Sequence, residues 1–196
     1  MKKLVLGAFV LGTALFSTVN AQTQKGNLLV GGNVGNVNFG VSKGSTTSVN
    51  ITPKAAYFFK DNVAVGGYAD LGFAKVGDGP SAFTYAFGAL GRYYLASNDL
   101  PNFSKHGNFF LEGNLGLGGD NSTQKDGSNS VGFNYGIGPG YAYFLTKNVG
   151  LEGLLKFTGN LGGGNSGATG KLVFGLGFQV YLPAKKVEHI IKEETK

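Results

Sequence analysis

The stretch VNITPKAAYFF, residues 49–59, alternates apolar and non-apolar side chains with period two. Val49, Ile51, Pro53, Ala55, Tyr57 and Phe59 make one series, and Asn50, Thr52, Lys54 and Ala56 stand between them. Side chains two apart share a face of a strand, so this segment is a ribbon with one apolar and one polar face. A soluble barrel turns the apolar face inward, whereas a membrane barrel turns it toward lipid. The rest of the chain decides between them.

The same pattern recurs, predicting strands over 27–41, 48–59, 63–74, 82–95, 108–119, 130–145, 149–158 and 171–182. One parity carries residues such as Val63, Val65 and Leu71, then Phe83, Tyr85 and Phe87, and near the end Leu172, Phe174, Leu176 and Phe178. The first run changes parity between Val34 and Val37, which a bulge near Gly35-Asn36 would reconcile. Six charged residues lie inside the runs, away from their terminal positions: Lys54, Asp70, Arg92, Glu112, Glu152 and Lys156. All six take the parity opposite to the apolar series, an agreement expected by chance about once in 64 trials for two-faced strands. The apolar face therefore meets lipid, and the charged face lines a polar interior.

The ends and the composition fit this reading. Lys2 and Lys3 precede an apolar run from Leu4 to Leu15, and Val19-Asn20-Ala21 supplies small residues before Gln22. Residues 1–21 thus read as a cleaved signal peptide, too short in its apolar stretch to be a membrane-spanning helix. No cysteine stands at the cleavage point, so a lipoprotein anchor is excluded, as are disulfides and thiolate sites anywhere in the chain. The 35 glycines exceed ordinary usage of about 7% and sit inside the runs as well as between them. A crowded barrel lumen, where strands curve and side chains pass close to backbone, calls for them. Of the +6 formal charge, Lys2 and Lys3 leave with the leader, and Arg92 is the only arginine. No basic face for nucleic acid appears.

Connections alternate in length. Lys60-Asp61-Asn62 and Thr146-Lys147-Asn148 are tight turns, while 42–47, 75–81, 120–129 and 159–170 are longer and polar; 96–107 is long on the short-turn side. Short turns belong to the periplasmic side of an outer-membrane barrel. Tyr57, Phe59, Tyr93, Phe109, Tyr141, Tyr143 and Tyr181 cluster toward that side as an expected aromatic girdle. Phe39, Phe73, Phe83, Phe133 and Phe157 form a second set near the loops.

On these residues the chain resembles the small eight-stranded outer-membrane barrels of the OmpA/OmpX-like type, the outer membrane protein beta-barrel domain family. The resemblance covers almost all of 22–182. It is carried by the leader, the hairpin Tyr57-Phe58-Phe59-Lys60-Asp61-Asn62-Val63-Ala64-Val65-Gly66, the strand end Arg92-Tyr93-Tyr94, and the closing run from Gly175 to Leu182. It implies a lumen filled by side chains and crossed by ion pairs. It also implies an assembly signal in the last strand, which Gly175, Phe178 and Val180 match; Val173 stands where a polar residue is usual, and the chain continues past Leu182.

The inward charges are the first candidate site. Their positions suggest one layer of Lys54, Arg92, Glu112 and Glu152 and a second of Asp70 and Lys156, with Arg92 and Glu112 as the best pair. A structural network is the leading reading, because a buried charge must be paired, and a pore-lining role is the alternative. A lipid-modifying enzyme would need a histidine with a nucleophile and a carboxylate. His106 beside Ser104 and His189 in the tail do not form that motif. Asp120-Asn121-Ser122-Thr123 with Asp126-Gly127 lacks the spacing of a calcium loop, and the glycines from Gly136 to Gly140 open no phosphate-binding helix.

The sequence thus predicts an all-β protein: a closed eight-stranded antiparallel up-and-down transmembrane β-barrel. It follows a signal peptide at 1–21, occupies 22–182, and leaves a short periplasmic tail at 183–196. The expected function is an integral outer-membrane barrel protein with a side-chain-filled, ion-paired lumen, serving envelope structure or surface interaction, and not an enzyme. The alternative is a narrow porin-like channel for ions or small solutes. Expected partners are outer-membrane lipids and the barrel assembly machinery, with the protein a monomer that needs no cofactor or metal.

Overall fold

The residues that share parity in sequence share a face in the fold, because each run pairs along its full length with its chain neighbours. The computed structural model describes residues 22–38, 46–76, 79, 81–95, 107–122, 130–162 and 169–183. The strands are β1 (Leu28–Asn38), β2 (Thr46–Lys60), β3 (Val63–Val76), β4 (Ser81–Tyr94), β5 (Gly107–Ser122), β6 (Ser130–Phe144), β7 (Val149–Leu161) and β8 (Thr169–Leu182). β1 also pairs with β8, from Leu28↔Leu182 to Gly35↔Gly175, which closes the ring. Closure leaves no sheet edge, the condition for carrying backbone through hydrocarbon. The molecule is therefore a closed eight-stranded antiparallel barrel with up-and-down neighbour order.

Several strands run past their expected ends. β5 continues to Ser122 and β8 begins at Thr169, in stretches whose Gly, Asn and Asp content reads as loop. Cross-strand partners hold them there, Phe83↔Asn121 and Asn160↔Thr169 among them. The parity change in β1 has its expected cause, since pairing with β2 shifts register between Gly35 and Asn38. Phe39 and the rest of the first predicted run lie outside the described residues, as do residues 1–21, His106, Ser104, His189 and 184–196.

One end of the barrel is held by its tight turns. Asn62 takes φ 65°, a left-handed conformation that asparagine tolerates better than most residues. Residues 22–27 fold over this turn. The Asn62 amide donates to Thr23 O at 2.7 Å, the Thr23 hydroxyl donates to Asn62 Oδ1 at 2.6 Å, and the Lys25 amide donates to Asp61 Oδ1 at 2.7 Å. At the β6–β7 turn, Asn148 Nδ2 donates to Tyr181 O at 2.5 Å, tying the turn to β8.

The outer face is apolar and bare. Leu117, Val131, Leu172 and Leu176 are each more than 60% exposed. A water-soluble monomer rarely exposes so continuous an apolar belt. Lys75 is the exception to the parity rule: it stands on the outward series of β3, next to the strand's loop end and beyond Phe73. In a bilayer, a cation at that height would face headgroups and water rather than acyl chains.

Inward glycines on β6 make room for the lumen's large side chains. Any Cβ at Gly140 would collide with the Phe110 ring, and one at Gly136 would stand 3.3 Å from Lys156 Cδ. At Gly138 the obstruction is backbone, with Lys156 Cα at 2.6 Å and Leu155 O nearer still. Gly138→Val is therefore expected to cost at least the ~1–3 kcal/mol of ordinary overpacking, since backbone cannot swing aside. Urea-dependent folding into lipid vesicles measures it, and a variant as stable as wild type would contradict the close approach.

Candidate functional site: the barrel lumen

The lumen is built in three storeys. Nearest the tight turns is an aromatic floor of Phe58, Tyr94, Phe110 and Tyr181, each at most 1% exposed, with Phe144 and Leu29 against them. Ring centroids stand 5.5 Å apart for Tyr94–Phe110 and 5.3 Å for Phe144–Tyr181. These rings take the inward parity of their strands, so the alternation that puts Phe59 and Tyr93 outside puts Phe58 and Tyr94 within.

Above the floor lies the charged layer. β4 and β5 set Arg92 directly opposite Glu112. Arg92 Nε and Nη2 donate to Glu112 Oε2 at 3.1 and 2.5 Å, while Nη1 donates to Glu152 Oε1 at 2.6 Å and to the Tyr94 hydroxyl at 2.8 Å. Lys54 Nζ donates to both oxygens of Glu112, at 3.0 and 2.8 Å. Tyr181 donates to Glu152 Oε1 at 3.0 Å, which leaves Tyr94 as the donor in the 2.8 Å Tyr94–Tyr181 contact. The guanidinium also lies over the Phe110 ring, 4.0 Å from its centroid, a cation–π contact that joins layer to floor. Each side chain has a partner because strands on opposite sides of the ring aim at one point, Glu152 through Oε1 alone, since its buried Oε2 has none.

Two sequence expectations need correction. Lys156 does not stand in a separate upper layer with Asp70, since its Nζ reaches down to 3.5 Å from Glu112 Oε1. Its long stem spans the rise between layers, along the channel that Gly136 leaves open. Tyr181 is not part of an outward girdle. It falls on the parity of Gly177 and Gln179, opposite to Phe178 and Val180, and is 1% exposed. The other girdle residues, Tyr57, Phe59, Tyr93, Phe109, Tyr141 and Tyr143, stand outside at the turn end, where the Phe109 and Tyr141 rings meet at 4.8 Å. Of the loop-side set, Phe73, Phe83, Phe133 and Phe157 face outward near the other rim.

The third storey is hollow. A cavity of about 380 Å³ occupies the loop half, and a smaller space of about 50 Å³ above the charged layer shares Asn50, Asp70, Thr158 and Lys171 with its lining. Amides and hydroxyls line it, including Asn50, Thr84, Asn134 and Thr158. Asp70 is on its wall, held by Asn50 Nδ2 at 2.6 Å. Lys171, at the start of β8, lines it too and was missed in sequence because it stands at the very edge of a predicted run; its parity was the available signal.

An all-antiparallel closed ring with a bare apolar exterior and a polar, ion-paired interior defines the class of small eight-stranded outer-membrane barrels. The chain is similar in fold to Neisserial surface protein A, with a TM-score of 0.59 at 14% identity over 80% of this chain and 97% of that one. It is also similar to the N-terminal β-barrel domain of Pseudomonas aeruginosa OprF, with a TM-score of 0.51 at 14% identity, covering 81% and 98%. No family model matches the chain, and no curated protein matches it in sequence.

Proposed function

We propose that the protein is an integral outer-membrane barrel with a sealed lumen, exported by a leader at 1–21, that serves envelope structure or surface contact. The observation that carries this is the cross-lumen layer. Arg92, Glu112, Lys54 and Glu152 are bonded into one network from β2 to β7, with Lys156 Nζ 3.5 Å from Glu112, directly over a floor of packed rings. Eight strands leave an interior just wide enough for side chains to fill, and here they fill its turn half.

The outer face supports the membrane assignment with a length. Phe83 to Tyr93 on β4 and Phe133 to Tyr143 on β6 are equal spans of strand between the two rims. Ten residues at ~3.4 Å each, tilted by ~40°, rise ~26 Å, against an apolar band of ~25 Å in such barrels. In this reading Tyr57, Phe59, Tyr93, Phe109, Tyr141 and Tyr143 anchor the periplasmic interface. Gly175, Phe178 and Val180 present the last strand to the assembly machinery: Phe178 faces outward, and Gly175 lies buried on the other face. The working form is a monomer without catalytic function.

The alternative of a narrow channel draws on the hollow loop half. Planar-bilayer recording of the purified protein separates the two. The expected result is no stable conductance; stable channels that change on substitution of Lys54 or Arg92 would overturn the sealed reading.

A further inference from the structure

The cavity in the loop half carries charges that its own walls do not neutralise. Asp70 on β3 and Lys156 on β7 stand four strands apart in a ring of eight, on opposite walls, and Lys171 on β8 flanks Lys156. Among the described residues neither lysine lies within ion-pair distance of Asp70. Glu112 is saturated by Arg92 and Lys54, and Lys156 stands off it at 3.5 Å, long for a hydrogen bond. Three cations thus meet two carboxylates in the layer below, and the surplus positive charge faces the cavity. Asn33 on β1, next to β8, is 7% exposed and borders the same space, yet neither its Nδ2 nor its Oδ1 has a partner. Between these polar ends the lining includes Leu154 and Val173.

A carboxylate on one wall, two ammoniums and an idle amide on the other, and apolar side chains between them match one solute chemistry. We propose that the lumen cavity binds a small zwitterion whose two charges are separated by a methylene chain. Its anionic end sits at Lys156, Lys171 and the Asn33 amide, and its cationic end at the free oxygen of Asp70. A solute with only one charge leaves one wall unsatisfied, and in this proposal one with adjacent charges is too short to serve both. Charges left without an opposite partner in the cavity are what discriminates here.

The test uses the folded protein in a nonionic detergent and ε-aminocaproate as probe, followed by calorimetry or saturation-transfer NMR. Saturable binding is expected, weaker by about tenfold or more for caproate, n-hexylamine and glycine. Asp70→Asn should bring ε-aminocaproate down to the level of caproate, and Lys171→Gln should bring it down to that of hexylamine. Both positions border solvent-filled space, and retained fast migration in unboiled gels checks that the variants fold. Absence of saturable binding, equal binding of caproate by the unaltered protein, or variants that bind like wild type would each overturn the proposal. Conductance, measured separately, decides the sealed-lumen reading whichever way the binding falls.

Discussion

Replacing Glu112 by glutamine is expected to destabilise the barrel by about 3–5 kcal/mol, the cost of removing one partner from a buried ion pair. Glu112 is the acceptor on which Arg92, Lys54 and Lys156 converge, and it is 1% exposed. The amide keeps the shape but halves the acceptors and turns an N–H toward three cations. Arg92 then keeps only Glu152, and Lys54 loses its carboxylate partner while its side chain is 1% exposed. The loss should be smaller when Lys54 is replaced by methionine in the same molecule, because one of the stranded charges goes with it. That non-additivity separates an electrostatic cause from a packing defect. Urea titration of folding into lipid vesicles, read by unboiled gel mobility, gives the values. A single-variant effect within about 0.5 kcal/mol, the range of ordinary surface changes, would show that the network contributes nothing to stability.

The contrast with Lys171 is instructive about what the lumen does. Lys171 borders the hollow storey, is exposed, and has no ion pair among the described residues. The charge on it is solvated in the absence of a ligand, so its removal should be felt in binding and not in folding. One interior thus holds two kinds of charge. Those at the turn end are fixed by mutual contact over packed rings, and those at the loop end are held apart across a cavity.

How far the sequence reaches is set by what alternation encodes. Period two assigns each residue to a face, so the strands, the ring and the inward placement of Lys54, Asp70, Arg92, Glu112, Glu152 and Lys156 were legible, and so was the cross-strand pairing of Arg92 with Glu112. Even the β1 irregularity was, because Val34 and Val37 cannot share a face without an extra residue between them. Parity also assigned Tyr181 to the interior, but chemical type suggested a girdle, and the face decided the matter. What alternation omits is height. The convergence of Lys54 and Lys156 on Glu112 depends on stagger between strands and on the length of lysine stems, and neither is written in a single strand's pattern. The hollow storey was illegible for a related reason. Inward glycines such as Gly118 and Gly140 read alike as crowding glycines, yet Gly140 admits the Phe110 ring while Gly118 borders the open space. Only the assembled ring tells these apart.

Leu115→Arg tests the exterior with the other large effect, an expected loss of ~2–4 kcal/mol for a cation at mid-depth on the lipid face. Leu115 lies near the middle of β5, points outward between Ala89 and Tyr135, and is 56% exposed. Nothing in the barrel interior touches that face, so the substitution leaves the ion pairs and the aromatic floor intact. The cost comes from the surrounding medium alone. The same change at Phe83, on the loop-side rim, should cost only ~0–1 kcal/mol, because a long cationic side chain there reaches the interface. The two positions expose similar apolar area and differ in depth, so their difference measures the bilayer's polarity profile along the barrel. In water no such gradient exists: an exposed leucine exchanged for arginine would be neutral or would raise solubility, at mid-strand as at the rim. A flat response in vesicle-folding titrations would therefore mean that the apolar face does not meet lipid. A steep one would tie the alternation of residues 49–59 to the solvent it was read to face.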